Sequence, residues 1–159
     1  MVYLITGPRN SGKTTKLLKL YKYKEKRGGG IASIKGKKDG YEFYKITFLG
    51  SAQPSILLAT ENPEYAKNAD FFKFKRFYFS KTAFKKANLY ITQLIALSVS
   101  PIFLDEVGKL ELNGMGFHDV CLKLIGLQSD VYITVRDTNL SEFLRVFKPK
   151  NYEVLSKEE

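Results

Sequence analysis

The sequence has few of the residues that stabilise a disulfide-linked or zinc-bound domain. Its 159 residues include one cysteine, Cys121, and one histidine, His118. A single cysteine excludes an internal disulfide framework and is typical of a reducing cytosol, so we expect a cytoplasmic protein. His118, Asp119 and Cys121 lie too close together on one predicted helix to form a zinc site or a nucleophile pair. We therefore expect a structural role for them.

Long apolar runs are also absent. No run approaches the roughly 20 residues that span a bilayer, and residues 1–4 carry no basic segment of the kind that opens a signal peptide. We therefore expect no membrane association. Hydrophobic residues make up 44% of the chain and charged residues 26%, which is ordinary for a globular protein. The length predicts a single domain over residues 1–159.

Acidic residues are outnumbered by basic ones, 16 to 26, which gives a formal net charge of +10. Such a charge attracts nucleic acid, anionic lipid or polyphosphate ligands. The lysines are spread from Lys13 to Lys157 and form no single block. Nucleic-acid binding is therefore an alternative that we do not favour over a solvated surface around a nucleotide site. Abundant lysine beside scarce glutamine is a pattern typical of thermophile proteins.

The most specific motif is a glycine-bounded loop near the N-terminus. Residues 7–14, GPRNSGKT, match G-x-x-x-x-G-K-[ST] without a mismatch, between a predicted strand and a predicted helix. Glycines allow the loop N–H groups to point inward at phosphates, and the helix N-terminus adds partial positive charge. We expect the phosphates to be bound by Gly7, Pro8, Arg9, Asn10, Ser11, Gly12, Lys13, Thr14 and Thr15.

Apolar periodicity divides most of the remaining chain into alternating strands and helices. We predict strands at residues 2–6, 31–34, 76–79, 101–105, 131–135 and 152–155. We predict helices at residues 13–27, 81–97, 116–125 and 140–147, the first ended by Gly28-Gly29-Gly30 and the second capped by Ser80. Apolar strands that alternate with helices indicate an α/β fold whose mainly parallel sheet carries helices on both faces.

The segment from residue 35 to residue 75 has a different character. We predict a basic loop at 35–40, then a β-hairpin insertion built from strand formers at 41–49 and 55–60. Residues 61–75 are either a lid-like insertion or a segment whose phenylalanines cover the edge of the core. The lysines among the aromatic residues 71–79 are compatible with single-stranded nucleic acid, but a half-buried strand is the better interpretation.

A second motif completes the site. Asp105 and Glu106 follow an apolar strand, whose carboxyl end should lie beside the phosphate loop. We expect Thr14 and Asp105 to hold Mg²⁺, and Glu106 to polarise an attacking water. Water would then be the nucleophile, so hydrolysis is the favoured reaction.

Charge that develops on the transferred phosphoryl group calls for cations besides Lys13, which can bridge the β- and γ-phosphates. Arg136, at the end of the strand 131–135, is the first candidate, and Arg9 is the second. Lys109 could contact the γ-phosphate, but an exposed lysine is the better interpretation. Glu111 is equally well explained as a surface acid or as a residue that orients water or couples nucleotide state to a loop.

These motifs, in this order, resemble the small thermostable nucleoside-triphosphatase family, whose relatives include the human cancer-related nucleoside triphosphatase. The resemblance covers most of the chain. It rests on the loop at 7–15, GYEFY at 40–44, FSKTAF at 79–84, VRD at 135–137 and, most specifically, DEVGKLEL at 105–112.

The resemblance implies a three-layer, RecA-like P-loop fold and Mg²⁺-dependent hydrolysis of several nucleoside triphosphates, ATP and GTP among them. The products would be diphosphate and phosphate, and base selectivity would be low. Two features depart from the family pattern. Lys38 and Asp39 stand where an arginine is usual, and lysine lacks its planar fork. Arg9-Asn10-Ser11 replaces the usual proline and glycine inside the loop.

Two alternatives to a hydrolase stay open at this point. A nucleoside or nucleotide kinase would use the same phosphate loop, but residues 61–75 lack the arginines usual in a kinase lid. A nucleic-acid-associated switch would explain the net charge. A guanine-specific switch is not expected, because the chain has no Asn-Lys-x-Asp segment. We expect a monomer, since no long apolar surface stripe requires a partner.

Overall fold

The computed structural model describes residues 1–156, whose strands form one nine-stranded sheet. The strands are β1 Val2–Gly7, β2 Gly29–Lys38, β3 Tyr41–Leu49, β4 Ile56–Thr60, β5 Phe71–Phe74, β6 Phe77–Ser80, β7 Ile102–Val107, β8 Val131–Arg136 and β9 Tyr152–Leu155. The helices are α1 Lys13–Tyr23, α2 Lys81–Ala96, α3 Lys109–Leu112, α4 His118–Ile125 and α5 Leu140–Phe147. Short 3₁₀ turns occupy Pro63–Lys67 and Asp137–Asn139.

The sheet has a parallel part and an antiparallel part, in the order β5-β6-β4-β3-β2-β7-β8-β1-β9. Strands β2, β7, β8, β1 and β9 run parallel. Strands β3, β4, β6 and β5 continue the sheet in antiparallel steps. The α/β fold is therefore as predicted. The predicted β-hairpin, β3–β4, is present and is widened by β6 and β5 into a four-stranded extension.

Helices cover both faces of the parallel strands. Phe103 of β7 packs with Leu17 and Tyr21 of α1 on one face. Its neighbours Ile102 and Leu104 belong to the larger core on the other face, which α2, α4 and α5 cover. Because successive side chains of a strand point to opposite faces, both faces need apolar residues. This requirement explains the continuous apolar pattern of the strands. None of the helices in residues 1–156 is long and apolar enough to cross a membrane.

The first helix ends earlier than predicted, and the glycines after it have another role. Helix α1 ends at Tyr23, and Glu25 and Lys26 after it take left-handed conformations, with φ of +57° and +56°, which break the helical backbone. Gly29 and Gly30 do not cap it but begin β2. A Cβ at Gly30 would lie 2.0 Å from the carbonyl oxygen of Phe103, and φ there is +148°. The close approach of β2 to β7 therefore requires glycine.

Two predictions about the antiparallel region were wrong or incomplete. Residues 35–38 are not a loop, because the ladder with β3 continues to the pair Lys38–Tyr41. Residues 61–75 are not a lid, because β5 pairs with β6. Half-buried Phe72 and Phe74 pack against the core, which confirms the alternative that this segment covers its edge. The helix predictions at 81–97 and 140–147 hold, with Ser80 Oγ accepting a hydrogen bond from Ala83 N at 3.0 Å.

Glu111 ties together the connection that follows β7. Its side chain is buried, and it accepts hydrogen bonds from the backbone N–H groups of Gly108, at 2.9 Å, and Phe117, at 3.1 Å. Burial raises the pKa of Glu111 to about 7, although both amides act to lower it. The surface-acid interpretation is therefore wrong. The carboxyl group joins the start of the unpredicted helix α3 to the segment that leads into α4.

We predict that Glu111→Gln makes stability less dependent on pH between about pH 5 and pH 7. The pKa in the folded state is about 7, above the ordinary 4.5, so the native protein holds a proton that the unfolded chain releases. The stability that this bound proton adds to the folded state is fully present below the pKa of Glu111 in the unfolded chain. It is lost as the pH rises through about 7. Urea unfolding at several pH values measures the slope. The exposed control Glu64→Gln should keep the wild-type slope, and an unchanged slope in the Glu111 variant would contradict the prediction.

Candidate active site

The phosphate loop connects β1 directly to α1. Gly12 has a φ of +89°, a conformation that favours glycine, and a Cβ at Gly7 would lie 2.5 Å from Ser11 Oγ, so the serine side chain would have to move. The Lys13 ammonium folds back and donates to the Pro8 carbonyl oxygen at 2.8 Å. No side chain caps the start of α1. Its first-turn N–H groups therefore face the loop, as an anion site requires.

Hydrogen bonds hold the remaining loop residues in place. The Ser11 N–H donates to the Pro8 carbonyl at 3.2 Å, and Asn10 Oδ1 accepts from Lys35 Nζ at 3.4 Å. Thr15 lies on the α1 side of the loop, where a pocket of about 630 Å³ is also lined by Lys19 and by the exposed ring of Tyr23. The loop thus has two accessible sides, with Lys13 between them.

Asp105 is fully buried and holds three neighbouring elements together. Its Oδ2 accepts from Thr14 Oγ1 at 2.8 Å and from the Ser33 N–H at 2.9 Å, and its Oδ1 accepts from Thr134 Oγ1 at 2.5 Å. Burial raises the pKa of Asp105, and the Thr134, Ser33 and Thr14 donors act in the opposite direction. The two residues expected to hold a metal, Thr14 and Asp105, are therefore in direct contact.

A β-bulge orients the acid pair. Leu104 pairs with Ile133 and Val107 pairs with Val135, so Asp105 and Glu106 together oppose the single residue Thr134. Glu106 takes a left-handed conformation, with φ of +64°, and its N–H donates to Thr134 Oγ1 at 2.7 Å. The bulge allows Asp105 to point into the buried network while Glu106 opens onto the adjoining cavity.

Glu106 faces a group of cations across that cavity. Enclosure by the protein raises the pKa of Glu106 and so does the charge of Asp105, whereas Lys13, Arg136 and Arg9 lower it. Burial lowers the pKa of Lys13, and Glu106 partly offsets this effect. Arg136 pairs with Gly7 in the parallel ladder, so it lies at the same sheet edge as the loop. The site thus combines a carboxylate of raised pKa with cations, a pattern typical of catalytic sites.

Arg9 takes part in an ion-pair network at the mouth of the cavity. Glu42 lies 3.3 Å from Arg9, 3.4 Å from Lys35 and 3.1 Å from Arg76, and Arg76 also contacts Glu61 at 3.1 Å. These side chains are partly exposed, so the pairs add little stability individually. They do connect the phosphate loop to β3 and to the β5–β6 turn.

Sequence reasoning missed the residues that depend on pairing between distant strands. Thr134 and Ser33 contact Asp105 from β8 and β2, and Arg76 reaches the site from the β5–β6 turn. The available signals were a polar Thr134 inside the apolar run 131–135 and a polar Ser33 inside the predicted strand 31–34. Lys109 is exposed, as expected, although it lines the cavity, and Lys38 lies at the β2–β3 turn.

His118 and Cys121 have structural roles, as expected. His118 Nδ1 lies 2.7 Å from the Glu111 carbonyl oxygen, and its ring packs against Phe147 at 5.1 Å between centroids. Cys121 is fully buried, and burial raises the pKa of its thiol. Within residues 1–156, no cluster of three or more His, Cys, Asp or Glu side chains is suited to hold a metal.

Comparison with known proteins identifies the group to which the chain belongs. A family model described as NTPase matches residues 2–158. The nucleoside-triphosphatase THEP1 of Thermotoga sp. (strain RQ2) is 26% identical over 152 residues, 95% of this chain and 82% of the relative.

Two solved structures share the fold. The crystal structure of THEP1 from the hyperthermophile Aquifex aeolicus has a TM-score of 0.76 at 16% identity, covering 98% of this chain and 89% of the other. The solution structure of a human cancer-related nucleoside triphosphatase has a TM-score of 0.68 at 17% identity, covering 97% and 87%. Because the family model matches nearly the whole chain, this protein belongs to the NTPase family, as its motifs predicted, and is a nucleoside-triphosphate phosphohydrolase.

Proposed function

We propose that the chain hydrolyses ATP, GTP and other nucleoside triphosphates to diphosphate and phosphate in a Mg²⁺-dependent reaction. The observation that carries the proposal is the 2.8 Å contact between Thr14 Oγ1 and Asp105 Oδ2, with Glu106 as the next residue. This contact would bring the phosphate loop, two oxygen ligands and a carboxylate base together at one edge of the sheet. We also propose that the chain works as a single domain and as a monomer in the cytoplasm.

The triphosphate would bind along the loop formed by residues 7–15. Its β- and γ-phosphates would meet the Lys13 ammonium and the N–H groups at the start of α1. The ribose and base would lie on the α1 side, in the pocket lined by Thr15, Lys19 and Tyr23. An exposed tyrosine ring stacks on any base, because every base has a π-face. This pocket therefore supports low base selectivity.

The residues present suit Mg²⁺. Thr14 and Asp105 offer adjacent hydroxyl and carboxylate oxygens, the ligand type that Mg²⁺ prefers. The scarcity of further acidic ligands around them also fits, because Mg²⁺ in such sites completes its shell with phosphate oxygens and water. When bound, the ion neutralises charge on the β- and γ-phosphates. Thr134 and Ser33 would keep the Asp105 carboxylate oriented, as residues behind a metal ligand do.

Glu106 would act as the base. Desolvation and the charge of Asp105 raise its pKa, which makes its carboxylate a stronger base than an ordinary surface glutamate. It would orient a water by hydrogen bonding, and its carboxylate would take the proton as the water oxygen bonds to the γ-phosphorus. Lys13 and Arg136 would stabilise the charge that spreads over the equatorial oxygens. We assign this role to Arg136 before Arg9, because Glu42 already binds the Arg9 guanidinium.

The first test of this proposal is whether hydrolysis requires Mg²⁺. Phosphate release from the four common nucleoside triphosphates should be lost when EDTA removes Mg²⁺ and restored when Mg²⁺ is added back. Thr134→Val should raise the Mg²⁺ concentration for half-maximal activity by about tenfold, because Asp105 loses a hydrogen-bond donor. The matched control Thr47→Val, whose hydroxyl contacts only Ser55 at the surface, should match wild type. Full activity in EDTA would contradict the proposal.

The role of Glu106 predicts a separation of binding from turnover. Glu106→Gln should lower kcat by at least about 100-fold, because the amide cannot accept the proton. The Kd for a nucleoside triphosphate, measured by titration calorimetry, should stay within about threefold of wild type. Glu64→Gln is the control, since Glu64 is exposed and lies outside the cavity. Wild-type turnover in the Glu106 variant would exclude this residue as the base.

The choice between the two arginines is also testable. Arg136→Gln should lower kcat by at least about 100-fold, because the transition state loses a cation. Arg9→Gln should have a smaller effect on kcat, since Arg9 is engaged by Glu42. Steady-state phosphate release measures both variants, with exposed Arg145→Gln as the control. The reverse order of effects would transfer the role to Arg9.

A further inference from the structure

The cavity onto which Glu106 opens is larger than a hydrolytic water needs. It has a volume of about 430 Å³, and its lining includes the loop residues Arg9 and Lys13 as well as Phe117, which precedes α4. We propose that it is a second binding site, for a nucleoside or a related heteroaromatic compound with a hydroxyl group, and that this hydroxyl accepts the γ-phosphoryl group in place of water. The inference rests on the proposed function, because it uses the same loop and the same base.

The cavity lies next to the phosphate loop. Lys13 lines both the cavity and the pocket on the α1 side, whereas Glu106 and Arg136 line only the cavity. A triphosphate with its nucleoside on the α1 side therefore presents its γ-phosphate to the cavity. The space beyond Glu106 then lies on the attacking side of the γ-phosphate. A molecule bound there is placed as an acceptor and does not compete with the triphosphate.

The wall of the cavity is an uninterrupted series of aromatic rings. Tyr44 contacts Phe77 at 5.4 Å, Phe77 contacts Phe79 at 6.2 Å, Phe79 stacks on Phe84 at 5.8 Å, and Phe84 meets Phe117 at 4.9 Å between ring centroids. All five side chains line the cavity. Such a surface binds a planar ring by stacking. Water gains nothing from it, so the lining favours an organic ligand.

The charged mouth of the cavity favours a neutral acceptor. Glu42 and Glu61 already engage Arg9 and Arg76, and the Arg76 guanidinium lies over the Phe77 ring, 4.9 Å from its centroid. These contacts hold Phe77 in the aromatic wall. The carboxylate of Glu106 suits an acceptor that gives up a proton, which a hydroxyl does and a phosphate dianion does not.

The transfer step balances without a further reactant. The acceptor oxygen bonds to the γ-phosphorus, and the bond from that phosphorus to the β,γ-bridging oxygen breaks. The electron pair remains on the β-phosphate of the departing nucleoside diphosphate. The hydroxyl proton passes to a carboxylate oxygen of Glu106. The products are a nucleoside diphosphate and a phosphorylated acceptor.

The experiment uses the full chain with Mg²⁺, ATP labelled in the γ-phosphate, and each common nucleoside or nucleoside monophosphate in turn. At least one nucleoside should yield labelled monophosphate, at a rate that saturates with its concentration while labelled inorganic phosphate declines. Label that appears only in inorganic phosphate, at a rate no nucleoside changes, would overturn the acceptor site and leave the hydrolase intact. Label transferred only to added nucleoside monophosphates would overturn the hydroxyl assignment. No phosphate release in any sample would instead refute the proposed function.

A pair of variants separates the cavity from general packing. Phe77→Leu should raise the half-saturating concentration of the nucleoside by at least about fivefold, because a stacking ring is lost. Phe71→Leu makes the same change on the neighbouring strand β5, where the ring contacts Tyr65 at 4.6 Å and lies outside the cavity. It should stay within about twofold of wild type. Equal effects of the two variants would show that the aromatic wall does not bind the acceptor.

Discussion

The active edge of this protein depends on one buried carboxylate. Asp105 has no exposure to solvent, and burying a charge is unfavourable unless hydrogen bonds compensate it. The compensation comes from three elements distant in sequence: Thr14 on α1, Ser33 on β2 and Thr134 on β8. The carboxylate is satisfied only when all three have packed around β7. Formation of the fold and formation of the site are therefore the same event.

Opposite charges are arranged around this centre so that neither sign dominates it. Lys13, Arg136 and Arg9 face Glu106 from the loop and from β8, while Glu42 and Glu61 engage the arginines at the mouth. The formal charge of +10 is therefore not concentrated there. The lysines elsewhere supply a long-range field that attracts a polyphosphate. The local balance keeps a carboxylate and several cations together around one cavity.

The predictable parts of the molecule were those encoded by neighbouring residues. The loop at residues 7–14, the Ser80 cap and helix α5 each have a local signal, and the structure reproduces them. The bulge at Glu106 and the partners of Asp105 arise from pairing between β7, β8 and β2, which no short window contains. The glycines 28–30 resemble a helix stop locally. The role of Gly30 is decided by the backbone of Phe103, more than 70 positions away.

The bulge in β7 also sets a limit on how this chain can vary in length. In a regular strand, neighbouring side chains project to opposite faces. The extra residue in β7 lets Asp105 and Glu106 oppose the single partner Thr134, and it returns Val107 to the same apolar core as Leu104. Loss of one residue here would restore the regular alternation but leave only one acid between Leu104 and Val107. Exchange of a side chain would keep both positions, whereas a change in the residue count would remove one of them.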